Sequence, residues 1–256
     1  MKQVWYNGAL VDAGDLLTSD GWPAGSGIFE TIKTSASKIY ALNRHMRRAL
    51  DAAQKCGIAL PSEEEIRTGV REIVRAEPYS SGRLRLHFTQ GSFMAVHDPY
   101  QVPTSLVRVG VYRDGVDGIE MKTFPYTHRL ELLARANRDG FDEGLFCNKR
   151  GEVTEGAVSN FIFHDGQSWF TTPLSAGVLP GVTRALFLDE LDISVRNLTR
   201  DELATIERAF VISSLRIAQT ITSLGEAVLK DDEITRALSA QLHQVYESSS
   251  VGLEHV

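Results

Sequence analysis

The chain has 256 residues, 43% of them hydrophobic and 23% charged, with a formal net charge of −6. That composition supports a folded protein with one large core or two moderate ones and excludes a disordered chain. Lys and Arg are scattered through the sequence and form no basic stripe, so a nucleic-acid partner is not expected.

No apolar run approaches the ~20 residues that a membrane-crossing helix needs. The start, MKQVWYNGALVD, lacks the apolar stretch of a secretory signal, and the expectation is a cytoplasmic protein without a membrane partner. Cys56 and Cys147 lie far apart and form no CxxC pair; they read as reduced packing residues, and no metal is expected.

In chain order, VWYNGALVD reads as two short strands joined by an Asn7-Gly8 turn. GIFETIKT and KIYAL are further strands, and RHMRRALDAAQKCGI has helical spacing that ends at Gly57. Ser62 with Glu65 three residues later announces a second helix through EEEIRTGVREIVRAE. The strands GRLRLHFTQG and SLVRVGVYR follow, and the glycine-rich YRDGVDG suggests a linker at 112–118.

Beyond it come a strand IEMKTF, a helix THRLELLARANRDG and hairpins through GLFCNKRGEVTEGAVSNFIFHDGQSWFTTP. LPGVTRALFLDEL is a turn into a helix, Thr199 and Glu202 make a second capping-box pattern, AFVISSL is a strand and ITRALSAQLHQVYESSS is a helix. The fold class is α+β, with an N-terminal domain over 1–111 and a C-terminal domain over 119–256.

In IEMKTF the alternation puts Glu120, Lys122 and Phe124 on one face. A half-enclosed lysine is pushed toward its neutral amine, which can form an imine with an aldehyde cofactor; an edge-strand lysine with its head in water shows the same pattern. In EVTEGAVSNFIF, Glu155 falls in a break between two strands, where it either aims a carboxylate at a protonated ring nitrogen or is a solvated turn residue. In VLPGVTRALF, Gly181 permits a close turn, and Val182 and Thr183 open a helix whose free N–H groups bind phosphate or serve only as its cap. Arg48, Ser213, Ser214 and Arg216 are further anion-binding candidates.

Together GSGIFETIKT, LNRHMRRAL, MKTFPY, GFDEGLF, EVTEGAVSNF, LPGVTR and FVISSLR resemble, in order and spacing, the class IV aminotransferase family of fold-type IV pyridoxal-phosphate enzymes. The resemblance implies two α+β domains, the C-terminal one a pseudo-barrel carrying the cofactor lysine. It further implies that Lys122 forms the Schiff base with pyridoxal 5′-phosphate and then moves protons, and that Glu155 meets the ring nitrogen. Arg48, the Val182 and Thr183 amides, the Thr183 hydroxyl, Ser213 and Ser214 would hold the phosphate, and Tyr126 would approach the ring hydroxyl. In KTFPY, Pro125 stands where the family pattern has asparagine.

FVISSLR is closest to the ending of the family's aminodeoxychorismate lyases, which implies cleavage of 4-amino-4-deoxychorismate to 4-aminobenzoate and pyruvate in folate biosynthesis. On that reading Thr31 donates a proton, while Phe29, Arg85, His97 and Arg216 contact a small amino carboxylate substrate. A branched-chain or other aminotransferase and a silent binder of a phosphate ligand are the alternatives. A homodimer is implied by the resemblance.

Overall fold

The computed structural model describes residues 2–19, 21–103, 106–113 and 121–256. Its first strands and helices are β1 (Gln3–Tyr6), β2 (Ala9–Asp12), β3 (Gly27–Ser35), β4 (Lys38–Tyr40), α1 (Leu42–Cys56), α2 (Glu63–Ala76), β5 (Gly82–Thr89) and β6 (Ser92–Pro99). Then come β7 (Val107–Tyr112), β8 (Thr123–Phe124), α3 (Thr127–Arg138), β9 (Glu143–Cys147), β10 (Val153–Gly156), β11 (Asn160–His164) and β12 (Trp169–Thr171). The remainder are α4 (Val182–Glu190), β13 (Ser194–Val195), β14 (Arg208–Ser213), β15 (Ile217–Leu224), β16 (Ala227–Val228), α5 (Glu233–Ser248) and β17 (Ser250–Gly252).

Two compact units divide the chain: the described parts of Met1–Val102, Met121–Pro125 and Ser249–Val256 form the first, and those of Pro103–Glu120 and Tyr126–Ser248 the second. The sequence expectation differs at three places, one of them Ser249–Val256, which joins the first unit because β17 pairs with β4. β7 belongs to the second unit because it pairs in parallel with β9 and β15, and Lys122 belongs to the first because β8 pairs with β3. Residues 114–118 of the expected linker lie outside the described residues.

The first unit is a sheet ordered β17-β4-β3-β5-β6-β1-β2, with α1 and α2 packed on one face. Asn7 and Gly8 both take left-handed backbone angles (φ 44° and 97°), as a two-residue hairpin turn demands. Leu42, His45, Ala49, Ala52 and Ala53 put one side of α1 against the sheet, and Gly57 in the left-handed region ends that helix. Ser62 Oγ accepts from the Glu65 N–H at 3.2 Å, the expected cap of α2. Alternation along β3 and β5 sends Ile28, Ile32, Leu84, Leu86 and Phe88 into the core under the helices, each worth roughly 1.5–3 kcal/mol of burial.

The second unit is a sheet ordered β10-β9-β7-β15-β14-β11-β12-β13. Its core gathers Val107, Val109, Leu145, Phe161, Phe163, Phe170 and Val211. Cys147 is buried in that core, whereas Cys56 is exposed at the end of α1 and does not serve packing as expected. Thr199 does receive its Glu202 carboxylate, at 2.7 Å from both its N–H and its hydroxyl, but the element it opens is a 3₁₀ turn, Asp201–Thr205.

Candidate active site

In the first unit, the residues that alternate away from the α1 core on β3 are Phe29 and Thr31, and they stand directly opposite His87 and Arg85 on β5. Lys122 comes one residue before β8, and not inside a strand as the alternation suggested; Ile119 and Glu120 lie outside the described residues. Its carbonyl accepts the Phe29 N–H at 2.9 Å. Its half-buried side chain places Nζ 4.5 Å from the centre of the Phe29 ring.

Trp22 meets Phe29 edge-on at 4.8 Å, and the Arg85 guanidinium lies 5.2 Å from the Trp22 ring. Arg85 is buried and pairs with Asp98 Oδ2 at 3.1 Å. His87 is enclosed by Trp22, Phe29 and Phe124, and among the described residues neither ring nitrogen has a hydrogen-bond partner. Burial, helped by the Arg85 charge, pushes His87 down to about 3, so it is a neutral imidazole.

Arg48 lies toward the opposite face, on α1. It grips Glu30 with two donors, Nε to Oε1 at 2.8 Å and Nη2 to Oε2 at 2.6 Å, while His45 Nδ1 donates to Oε2 at 2.6 Å. Burial alone would raise the Glu30 carboxyl, but the Arg48 charge and the His45 contact hold it at about 2. Burial lowers His45 from its ordinary value despite the carboxylate beside it. His97 also sits under the helices, with Nε2 at 2.7 Å from Thr34 Oγ1 and Nδ1 at 2.7 Å from the Glu77 carbonyl. It therefore braces the β3–β6 framework and does not join Phe29 and Arg85.

In the second unit Glu155 lies within β10, at a shift in register between Val153 and Gly156, and not in the turn the sequence suggested. Such irregularities re-aim side chains. The carboxylate is 3% exposed and is ion-paired to Arg129 Nη2. Asn160 Nδ2 and the Leu179 N–H each donate to its Oε2 at 2.9 Å. The following turn is pinned by buried Glu143, which accepts from the Gly144 and Ala157 N–H groups at 3.0 Å and from Ser159 Oγ at 2.9 Å.

Gly181 precedes α4 without any side-chain cap, so the first-turn amides of Val182 and Thr183 point out of the helix start. A Cβ on Gly181 would come 1.9 Å from Asn160 Oδ1, which leaves glycine as the residue that fits. Thr183 Oγ1 lies 3.5 Å from Ser214 Oγ, and the Tyr246 hydroxyl holds the Ser214 carbonyl at 2.6 Å. Ser213 turns its hydroxyl to the Arg216 N–H at 3.2 Å. Ile217, next in the chain, has φ 63°, an uncommon angle for a β-branched residue.

A helix start lined by hydroxyls, a buried anchored carboxylate and a half-buried lysine are what a phosphorylated aldehyde with a basic ring nitrogen requires. Residues 27–224 match the class IV aminotransferase family. The chain belongs to that family. Its enzymes use pyridoxal phosphate, and within each unit the donors suit that group: a half-buried lysine amine in the first, and an anchored carboxylate and a hydroxyl-lined helix start in the second.

Two curated relatives are a D-alanine aminotransferase of Bacillus licheniformis, 24% identical over 87% of this class IV chain and 88% of its own, and an aminodeoxychorismate lyase of Bacillus subtilis, 24% identical over 87% of each. The same fold occurs in the solved branched-chain aminotransferase of Thermoproteus uzoniensis, with TM-score 0.85 and 22% identity over 98% of this chain and 99% of that one.

The class IV chain thus gathers Lys122, Phe29, Thr31 and Arg85 in one unit and Glu155, Val182, Thr183 and Ser214 in the other. Tyr126 opens α3 in the second unit, where Arg216 lines a cavity of about 230 Å³ with Asn137, Asp142 and Gln219 and donates to the Asp142 carbonyl at 3.3 Å. Sequence reasoning passed over Glu30, His45, His87, Arg129 and Asn160. Asn160 and Glu30 stand inside the quoted motifs, and their polarity at core-facing strand positions was the available signal.

Proposed function

We propose that this class IV enzyme is a lyase that converts 4-amino-4-deoxychorismate to 4-aminobenzoate and pyruvate. The observation that carries the reading is Thr31: its position on β3 shares a face with Phe29, against which Lys122 Nζ rests, and stands opposite the buried Arg85. That supplies a hydroxyl proton donor and a guanidinium for a carboxylate.

Pyridoxal phosphate, when bound, supplies an electron-withdrawing ring that stabilises negative charge on the substrate carbon. Lys122 would hold that group and would take the proton from ring carbon C4 of the substrate. The bond from C3 to the ether oxygen then breaks, the ring becomes aromatic, and the Thr31 hydroxyl gives a proton to the departing three-carbon fragment, which leaves as pyruvate. Glu155 would hold a proton at the ring nitrogen. The Val182 and Thr183 amides, the Thr183 hydroxyl and Ser214 would hold the phosphate, and Tyr126 would lie near the ring hydroxyl. Phe29, Arg85 and Arg216 receive the substrate in a protein that we take to be a cytoplasmic homodimer.

The test is to supply enzymatically made aminodeoxychorismate to the cofactor-loaded protein and to follow 4-aminobenzoate and pyruvate. Equal amounts of both, absent in Lys122→Ala, are expected. No product from protein whose cofactor can be reduced onto Lys122 with borohydride would refute the lyase and favour an aminotransferase, the reading that the D-alanine and branched-chain relatives support.

A further inference from the structure

Glu155 is held from three separate segments of the second unit. Arg129, from α3, is 3% exposed, pairs with Oε1 through Nη2 and donates through Nη1 to the Gly156 carbonyl at 2.9 Å. Asn160, from β11, and the Leu179 N–H, from the loop before α4, hold Oε2. A second buried cation, Arg184, feels the Glu155 charge, which opposes the lowering that burial imposes on it.

A buried ion pair of this kind is a poor source of stability, because removing both charges from water costs several kcal/mol per ion and apolar residues of equal volume fold at least as well. What it supplies instead is a fixed charge at a fixed place. The two-point fork of Arg129 on Oε1 and the adjacent carbonyl sets the rotation of the carboxylate, and its charge favours the ionised form over the protonated one. A carboxylate that stays ionised cannot keep the proton it shares with a basic ring nitrogen.

We propose that Arg129 is a positioning residue that locks Glu155 as an aimed anion and so keeps the ring nitrogen of the cofactor protonated. This rests on the reading that Glu155 meets that nitrogen. Arg129 acts through the carboxylate and touches neither substrate nor cofactor. Asn160 completes the clamp, and through its contact with Gly181 the same residue borders the start of the phosphate-binding helix.

The experiment uses pyridoxal phosphate labelled with ¹⁵N at the ring nitrogen, bound to wild type, Arg129→Gln, Arg129→Lys and Glu155→Gln, with the ¹⁵N chemical shift recorded at pH 7.5. Wild type is expected at the pyridinium position and Glu155→Gln at the neutral pyridine position. Arg129→Gln should move toward the neutral position, with kcat lowered at least about tenfold, in step with a tenfold loss of proton affinity at the nitrogen, and KM changed less. Arg129→Lys, which keeps the charge but loses the second donor, should fall between. A wild-type signal in Arg129→Gln alongside a shifted Glu155→Gln overturns the role of Arg129 alone. An unmoved Glu155→Gln overturns the placement of Glu155 at the nitrogen and this proposal with it. If Arg129→Gln does not fold, a wild-type signal in Arg129→Lys is the refuting result.

Discussion

Replacing Glu30 by Gln is expected to destabilise the cofactor-free protein by about 3 kcal/mol at pH 7. The carboxyl falls from 4.5 to about 2 in the folded chain, because Arg48 and His45 outweigh the burial that acts in the other direction, and every tenfold change in proton affinity is worth about 1.36 kcal/mol. The sign follows from the depressed folded value. The contribution is complete above pH 4.5 and is lost as pH falls toward 2, because only then does the folded chain take up the proton that the unfolded chain already holds. Glutamine has no such dependence, so the gap between the two proteins should narrow by about 1 kcal/mol at pH 4 and about 2 kcal/mol at pH 3. Urea titrations of both proteins at pH 7, 4 and 3, followed by far-UV circular dichroism, measure the gap directly. A gap that stays constant over that range would mean that Glu30 acts through shape alone and that the Arg48–His45 charges do not hold it ionised.

Gly181→Ala should raise the dissociation constant for pyridoxal phosphate at least about tenfold, or ~1.4 kcal/mol, because the new Cβ displaces Asn160 from Glu155 and from the Leu179 carbonyl; a wild-type value in an absorbance titration would contradict the clamp. Thr31→Val keeps the shape of the side chain and removes the hydroxyl, so kcat for 4-aminobenzoate formation should fall about 10²- to 10⁴-fold with the cofactor spectrum unchanged; a wild-type kcat would remove Thr31 from the chemistry. Ser62→Ala should cost about 1 kcal/mol in urea unfolding through loss of the α2 cap, with no change in cofactor affinity; an unchanged midpoint would show that the cap is dispensable.

Elements announced by local chemistry were legible in the sequence: the Asn7-Gly8 hairpin, α1 ending at Gly57, α2 beginning at Ser62 and α4 beginning after Gly181. β6 was not, although Phe93, Met94, Ala95 and Val96 are all buried, because a continuous apolar run lacks the alternation that marks a strand with one wet face. β15 was hidden for a different reason. Its sequence IAQTITSL is half polar and does not alternate regularly, and its place between β14 and β7 is set by backbone pairing rather than by side-chain pattern. β17 lies some 210 residues beyond its partner β4, a distance at which no local signal operates.

The same distinction runs through the site. Lys122, Glu155, Gly181 and Thr183 could be proposed from the sequence because each belongs to a motif whose neighbours constrain it. His97 was misread because a histidine two residues from a strand end looks alike whether its ring faces substrate or, as here, a threonine hydroxyl and a helix-end carbonyl. Arg129 is the reverse case: in THRLELLARANRDG it is one basic residue among several on an amphipathic helix, and only the fold shows that it is buried against a carboxylate 26 residues away. A motif locates the groups that touch a cofactor, whereas the groups that set their charge and angle are chosen by packing between elements. Two enzymes can therefore share every motif residue and still differ in how firmly the ring nitrogen holds its proton, which makes Arg129 rather than the shared motif the place to look for what is particular to this chain.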